Sequence, residues 1–167
     1  MQVSKITAML ALGIIAFSSK ANANLPSTIE LRQESKLQLA QVNLQDAAKY
    51  FKSGNKRFEQ GDYRGAIADF TQAIQINPNN TQVYYNRGVY RSQLKDYRGA
   101  IADYNKAIQI NPNYAQAYNN RGVARASLED KQGTIADFQK AAQLYQQQGK
   151  QAEAQKLLNI IAEVKSL

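Results

Sequence analysis

The stretch DYRGAIADFTQAIQINPNN at residues 62–80 is almost repeated as DYRGAIADYNKAIQINPNY at residues 96–114. Fifteen of the nineteen positions are identical. The first copy begins at Asp62 and the second at Asp96, and this distance along the chain is the repeat offset. Repeats of this length are typical of proteins in which similar units stack, because one such unit cannot bury its own apolar face. The chain is therefore predicted to be a stack of repeated units.

Each copy of this stretch has the pattern of an α-helix. In the second copy, Ala100, Tyr104 and Ala107 recur three or four residues apart, which predicts one buried stripe. The Asn-Pro pairs at 77–78 and 111–112 end the helix, because proline has no amide hydrogen and disfavours the α conformation in the preceding residue. The repeated unit thus contains a helix that stops at Asn-Pro.

The same offset extends beyond the quoted stretch. Five columns of similar residues follow it: Gly54, Gly88 and Gly122; Ala66, Ala100 and Thr134; Ala73, Ala107 and Ala141; Tyr50, Tyr84 and Tyr118; Phe70, Tyr104 and Phe138. The pattern resembles the tetratricopeptide repeat (TPR) family, whose repeat is about 34 residues long. The resemblance implies an all-α, right-handed α–α superhelix of three helix pairs, with repeats at 47–80, 81–114 and 115–146.

The same register predicts the individual elements. We expect Gly88 to meet Ala100 and Ala107 where two helices approach closely. Residues 147–167 are predicted to form a capping helix whose inward stripe is Leu157, Leu158, Ile161 and Val164. Residues 24–46 are predicted to be a flexible or partly helical tether, with any helix at about 28–42. The predicted repeat and cap helices are 47–60, 63–76, 81–94, 97–110, 115–128, 131–146 and 150–165.

Residues 1–23 have the three parts of a secretory signal peptide. Lys5 supplies the positive start, residues 6–17 form an uncharged apolar run, and Ala21 to Ala23 are small enough for cleavage after Ala23. The apolar run is shorter than the roughly 20 residues that span a bilayer, so an uncleaved anchor is the weaker alternative. We therefore expect export to a periplasm or, in a photosynthetic host, to a thylakoid lumen.

Composition limits the chemistry of the chain. It has no Cys, His or Trp, which excludes thiol nucleophiles, disulfides and imidazole bases. The remaining acids do not converge on one predicted pocket, so we expect no enzyme, no cofactor and no metal site. The formal net charge is +8, spread along the chain and not gathered in a block. Such a distribution favours a solvated surface, and we expect no nucleic acid partner.

The resemblance also implies where a ligand binds. In TPR arrays the first helix of each pair lines the concave side, and the matching positions here are Phe51, Lys52, Asn55, Tyr85, Asn86, Val89, Asn119, Asn120 and Val123. Asn86 and Asn120 resemble the asparagine ladder by which some members hold an extended peptide, because an amide can both donate to and accept from a peptide backbone. The alternative is that these asparagines only tolerate exposure.

A second ligand site known in the family does not fit. The clamp for peptide C-terminal carboxylates requires cations at positions 51, 116 and 120, and this chain has Phe51, Gln116 and Asn120 instead. Asn55 and Asn86 match the clamp, but the charge-assisted bonds to the carboxylate need the cations. We therefore reject the clamp.

Two further columns are charged. Arg57, Arg91 and Arg125 share one repeat position, and Asp69, Asp103 and Asp137 share another. We expect each arginine to pair with an aspartate and cover apolar surface with its stem, with Arg87 and Arg121 extending the network. The alternative is a basic stripe for an acidic partner.

The leading functional hypothesis is a non-catalytic module that binds a protein segment in its concave groove and assembles or tethers a complex outside the cytoplasm. One alternative is a basic surface that binds anionic membrane headgroups or an envelope polymer. Another is a structural protein that self-associates through an incompletely capped terminal repeat.

Overall fold

The computed structural model describes residues 28–166, and within that range every element is an α-helix. The signal peptide predicted at 1–23, with its cleavage after Ala23, lies outside the described residues. The seven helices are α1 (Thr28–Glu59), α2 (Tyr63–Ile76), α3 (Thr81–Gln93), α4 (Tyr97–Ile110), α5 (Ala115–Ala126), α6 (Lys131–Gln147) and α7 (Gln151–Ser166). The all-α prediction is confirmed, and the six helices from α2 onward lie within two residues of their predicted bounds.

The N-terminal boundary differs from the prediction. We expected a flexible or partly helical tether to residue 46, with any helix at about 28–42, and a separate helix from residue 47, but α1 runs unbroken from Thr28 to Glu59. The residue that follows Asn43 is Leu44, whereas proline follows Asn77 and Asn111. Because nothing at residue 44 removes an amide hydrogen or clashes with the preceding turn, the helix continues. The chain nevertheless divides between Asn43 and Leu44 into two units.

Each of these units is described by itself. In the first, the described residues 28–43 are helical and all exposed. The second, from Leu44 onward, contains three successive pairs of helices and a final helix. The pairs are the C-terminal part of α1 with α2, then α3 with α4, then α5 with α6, and α7 packs on α6. We call the first helix of a pair its A helix and the second its B helix.

The B helices begin in the same way in all three pairs. Asp62, Asp96 and Asp130 are their N-caps, and each carboxylate accepts a hydrogen bond from the backbone N–H three residues later. The donors are Gly65, Gly99 and Gly133, at 2.9, 3.0 and 2.9 Å. These caps satisfy amide groups that the helix itself leaves unpaired, so they fix the start of each B helix.

Aromatic rings fill the space between the two helices of each pair. The ring of Phe70 lies against Gly54, that of Tyr104 against Gly88, and that of Phe138 against Gly122. We expected Gly88 to meet Ala100 and Ala107 where these two helices approach closely. Both alanines are fully buried, but the atoms nearest to Gly88 belong to Tyr104, because the ring reaches across the gap between the helices.

The third pair and α7 form one apolar cluster. Leu157 and Ile161 of α7 are buried against it, as predicted, and Ala154 joins them. Leu158, predicted to face inward, is instead 38% exposed. Thr134, which replaces the alanine of the other pairs, is buried, and its hydroxyl donates to the carbonyl of Asp130 at 2.7 Å.

Candidate functional site

The predicted ligand residues lie together on the A helices of the second unit. We call the surface formed by these residues on α1, α3 and α5 the helix-A face. Lys52 and Val123 are exposed on it, and Val123 is 52% exposed. The other predicted residues are half-buried: Phe51, Asn55, Tyr85, Asn86, Val89, Asn119 and Asn120. A half-buried side chain with polar atoms at the surface can contact a ligand without being free to move widely.

A chain of hydrogen bonds joins α1 to α3 on this face. The amide nitrogen of Asn86 donates to Oδ1 of Asn55 at 3.1 Å, and the hydroxyl of Tyr90 donates to the same oxygen at 3.1 Å. Oδ1 of Asn86 accepts from Nε2 of Gln82 at 2.8 Å, and Oε1 of Gln82 accepts from the hydroxyl of Tyr114 at 2.9 Å. The amides of the first two pairs are thus held in fixed orientations.

A shorter chain of hydrogen bonds joins α3 to α5. The amide nitrogen of Asn120 donates to the hydroxyl oxygen of Tyr85 at 3.0 Å, and Nδ2 of Asn119 donates to Oδ1 of Asn120 at 3.1 Å. An asparagine amide has two N–H donors and an oxygen with two lone pairs. Asn86 and Asn120 therefore each keep one N–H and one lone pair for a ligand, although each is already engaged across a helix boundary.

The aromatic rings of the helix-A face pack against other rings. The ring of Tyr85 lies 5.1 Å from that of Tyr114, edge-on, and 6.0 Å from that of Tyr104. Phe51 packs edge-on against Phe70 at 5.7 Å, so its ring is shared between the face and the core. Rigid rings under a polar surface limit the side-chain entropy that binding would cost.

The phenol groups on this face stay neutral over a wide pH range. Burial raises the pKa of Tyr85, although its hydrogen bond from Asn120 acts in the opposite direction. Burial likewise raises the pKa of Tyr90 and Tyr114. The helix-A face consequently offers neutral phenols and amides at every physiological pH.

The arginines of the A helices pair with aspartates. Asp103 accepts from Arg87 Nε at 3.0 Å and Nη2 at 2.6 Å, and from Arg91 Nη1 at 2.9 Å. Asp137 accepts in the same way from Nε of Arg121 at 2.9 Å and lies 3.0 Å from Nη1 of Arg125. Both carboxylates are buried, and two guanidinium groups surround each one.

Arg87 and Arg121 also connect one pair to the next. Nη1 of Arg87 donates to the hydroxyl of Thr71 on α2 at 3.0 Å, and Nη1 of Arg121 donates to Oδ1 of Asn105 on α4 at 2.6 Å. Each of these guanidinium groups therefore contacts the B helix of its own pair and that of the preceding pair. This arrangement matches the expected network.

The first pair has a reduced version of this network. Ser53 occupies the position of Arg87 and Arg121, so Asp69 has only Arg57, whose Nε lies 3.2 Å from Oδ2. That oxygen is buried without a hydrogen bond of good geometry. The arginine column therefore acts fully in the second and third pairs and only in part in the first.

Sequence reasoning missed three residues of the helix-A face. Tyr90, Gln82 and Tyr114 complete the hydrogen-bond chain, and none was among the predicted positions. Gln82 lies four residues before Asn86 on α3, a spacing at which helical side chains meet. That spacing is a signal for Gln82, but the positions equivalent to Tyr90 and Tyr114 differ in the other pairs and gave none.

Within residues 28–166, no helix has both the length and the apolar character needed to cross a bilayer. In that range, no cluster of side chains is suited to hold a metal ion.

Comparison with known proteins identifies the family. The sequence profile described as TPR repeat matches residues 54–93 and 91–128. A search of curated proteins found no relative of the chain.

Solved structures give a broader match. The first TPR of Spaghetti (RPAP3), bound to the HSP90 peptide SRMEEVD, is 30% identical, with 74% of this chain and 96% of that chain covered and a TM-score of 0.67. The Arabidopsis OM64 TPR domain is 27% identical, with 72% and 98% covered and a TM-score of 0.66. The TPR2B domain of yeast Sti1, in its pHsp70 complex, is 22% identical, with 73% and 98% covered and a TM-score of 0.68, and supports the fold alone.

These matches confirm the α-helical superhelix. The chain belongs to the tetratricopeptide repeat family, whose folded domains are interaction modules.

Proposed function

We propose that this protein is a non-catalytic adaptor that binds an extended protein segment on its helix-A face. The observation that carries the proposal is the row of half-exposed, oriented amides at Asn55, Asn86 and Asn120, spread over three successive A helices. Asn86 and Asn120 each retain a donor and an acceptor, which is the complement of a peptide backbone, and Asn55 retains its N–H donors. Val89 and Val123 provide apolar contact beside them.

The ligand of this face differs in charge from the peptide of the Spaghetti complex. That peptide, SRMEEVD, contains three acidic residues. Here positions 51, 116 and 120 carry Phe, Gln and Asn, and the nearby arginines already pair with aspartates. An acidic C-terminus would have to give up its hydration without gaining charge-assisted bonds. A segment with little net charge suits the helix-A face better.

We also propose that the adaptor works outside the cytoplasm. The signal-peptide pattern of residues 1–23 is the support for this part. N-terminal sequencing of the protein from an envelope fraction tests it, with Asn24 expected as the first residue. A first residue of Met1 in the mature protein would contradict export with cleavage.

A cross-linking pull-down from the native envelope fraction tests the binding proposal. The native chain is compared with Asn86→Ala/Asn120→Ala and with Val123→Arg, at low salt and at about 0.15 M salt, where charges are screened beyond about 8 Å. Because the asparagines also join helices, thermal melting of that variant is measured beside it. Val123 is exposed, so Val123→Arg obstructs the face and leaves the core intact.

The proposal predicts a discrete protein that the native chain captures at both salt concentrations and that both variants lose. Capture that ignores both variants would contradict it. Capture that disappears with salt would favour the alternative of a basic surface. Mass that rises with protein concentration in the purified chain would favour the alternative of self-association.

A further inference from the structure

The B helices carry a charge pattern that the proposed ligand face does not use. The only acid on each of α2, α4 and α6 is its buried aspartate, Asp69, Asp103 or Asp137. All other charged residues on these helices are basic, and they are exposed or half-exposed: Arg64, Arg98, Lys106, Lys131 and Lys140. We call the outward surface of α2, α4 and α6 the helix-B face.

These cations have no acidic partners among the described residues. The five arginines of the A helices all lie within 4 Å of an aspartate, whereas neither Arg64 nor Arg98 does so. Lys106 and Lys140 contact only glutamine side chains three residues along their own helices. The charge of the helix-B face is therefore available to a partner.

Three of these cations lie where a positive charge destabilises a helix: Arg64, Arg98 and Lys131. Each lies in the first turn of its helix, and none of these first turns contains an acid. The helix macrodipole places partial positive charge at that end, so a cation there is unfavourable and an acid would be favourable. The N-cap aspartates lie next to these cations, but their carboxylates accept hydrogen bonds from glycine N–H groups. Stability of the helices does not account for this recurring placement.

The rest of the helix-B face is small or polar. The same repeat position is occupied by Ala68, Ala102 and Ala136, and all three are exposed. No exposed large hydrophobic residue lies on α2, α4 or α6. The face therefore lacks the aromatic and aliphatic anchors typical of a protein interface, and it lacks the aromatic platforms on which single-stranded nucleic acid bases stack.

We propose that the helix-B face docks on a surface of anionic lipid headgroups. Five cations without an acidic partner, spread over the three B helices, complement a broad negatively charged surface. The alanines between them allow close approach, and because no large hydrophobic side chain is exposed on these helices, the contact stays at the headgroup level. Because this face is separate from the helix-A face, a docked molecule can still bind a protein segment.

Vesicle sedimentation tests this proposal with the full chain. Phosphatidylcholine vesicles with and without one third phosphatidylglycerol are compared at about 0.1 M salt, where the screening length is about 10 Å. The test variant is Arg64→Gln/Arg98→Gln/Lys106→Gln. The control variant, Lys56→Gln/Lys156→Gln/Lys165→Gln, removes three exposed cations from other helices, so both variants have the same net charge.

The native chain is expected to prefer the anionic vesicles. Each cation near such a surface changes the partition ratio roughly fivefold, so the test variant should bind at least tenfold more weakly than the control. Melting of both charge variants shows that folding is retained.

Three outcomes would overturn the proposal. The first is equal loss in the test and control variants, which would show adsorption by net charge alone. The second is no preference of the native chain for anionic vesicles. The third is binding of an oligonucleotide at the same salt without binding of vesicles.

Discussion

At the residue scale, the aromatic rings of the B helices explain why glycine recurs at positions 54, 88 and 122 of the A helices. A β-carbon built at Gly88 would lie 2.7 Å from a ring carbon of Tyr104, and at Gly122 it would lie 2.6 Å from Phe138. Tyr104 is only 1% exposed, so its ring has no space into which to retreat. The fit of ring against bare backbone therefore fixes the distance between the helices of a pair.

Replacing Gly88 tests this contact. We expect Gly88→Ala to destabilise the protein by about 1–3 kcal/mol by overpacking, in spite of alanine's better helix propensity, and Gly88→Leu to cost more. Urea unfolding followed by circular dichroism measures the change. An unchanged or higher midpoint for Gly88→Ala would show that the contact between Gly88 and Tyr104 is looser than described.

The turn before each B helix repeats a backbone conformation without repeating the residue. Gly61, Lys95 and Glu129 occupy the same repeat position and have φ of 78°, 61° and 62°. Only glycine adopts this left-handed region without steric cost, and other residues lose about 1–2 kcal/mol there. The second and third turns are therefore strained relative to the first.

Lys95→Gly should relieve this strain. We expect a gain of about 0.5–1 kcal/mol in unfolding free energy, since the added flexibility of glycine in the unfolded chain offsets part of the relief. Gly61→Ala is the matched control and should lose stability by a similar amount. Urea midpoints of the two variants check both signs, and a loss on Lys95→Gly would contradict the assignment.

Tyr104 lowers the stability of the folded protein at alkaline pH. Burial raises its pKa from 10.0 to about 12. The unfolded chain therefore releases this proton at lower pH than the folded one, so the contribution is fully present below pH 10 and is lost as pH rises through 12. Two pKa units correspond to at most about 2.7 kcal/mol.

Tyr104→Phe should remove this dependence. The equivalent positions are Phe70 and Phe138, so the ring fits, and the hydroxyl contact with Ser92 is long, at 3.5 Å. We expect little change at pH 7 and a smaller loss of stability between pH 10 and 12 than in the native chain. Denaturant midpoints at pH 7 and 11 measure it. Equal losses in both proteins would show that Tyr104 does not carry the effect.

At the element scale, buried aspartates on B helices hold neighbouring A helices in register. Arg87 contacts α2 and α4 at once through Thr71 and Asp103. Such a charge network is costly to leave half-complete, because a guanidinium group without its carboxylate stays partly buried. The network therefore favours one arrangement of the pairs over looser alternatives.

Asp103→Ala measures this contribution. It leaves Arg87 and Arg91 without their shared carboxylate, so we expect a loss of about 3–5 kcal/mol. Asp69→Ala is the matched control and should lose less, because Asp69 has one arginine at 3.2 Å and lacks the bidentate pair. Thermal melting compares the two. Unchanged melting of Asp103→Ala, with weaker partner binding by Arg91→Ala, would favour a binding role for the arginine column.

The extent to which elements could be predicted depended on local signals. The ends of α2 and α4 followed from Asn-Pro, a signal that acts within one turn. The start of α1 could not be predicted in this way. Asn43 repeats the asparagine at 77 and 111, but Leu44 lacks the stop that proline provides, so the helical register continues.

At the scale of the whole molecule, the repeat period predicted which residues form the helix-A face. It did not predict the hydrogen bonds between those residues and their neighbours. The period assigned Asn55, Asn86 and Asn120 to A helices, and all three lie on the helix-A face. Asn55 bonds to Tyr90 and Asn120 to Tyr85, and both contacts depend on how one pair is rotated against the next. That rotation comes from packing between pairs, which no single repeat encodes.

The molecule has two surfaces of different chemistry, the helix-A face and the helix-B face. The helix-A face is rich in amides and phenols, while the only exposed charges of the helix-B face are cations. A molecule built in this way can hold a protein segment with one set of helices and a negatively charged surface with the other. The helix-A proposal is the central one, because the adaptor function depends on it.

Site-specific photo-cross-linking in the native host tests that proposal most directly. A photo-reactive residue at Val123 probes the helix-A face, and one at Ala102 probes the helix-B face, since both positions are exposed. We predict that one discrete protein is captured from position 123 and is absent from position 102. Capture of a protein from position 102 and none from position 123 would contradict binding on the helix-A face.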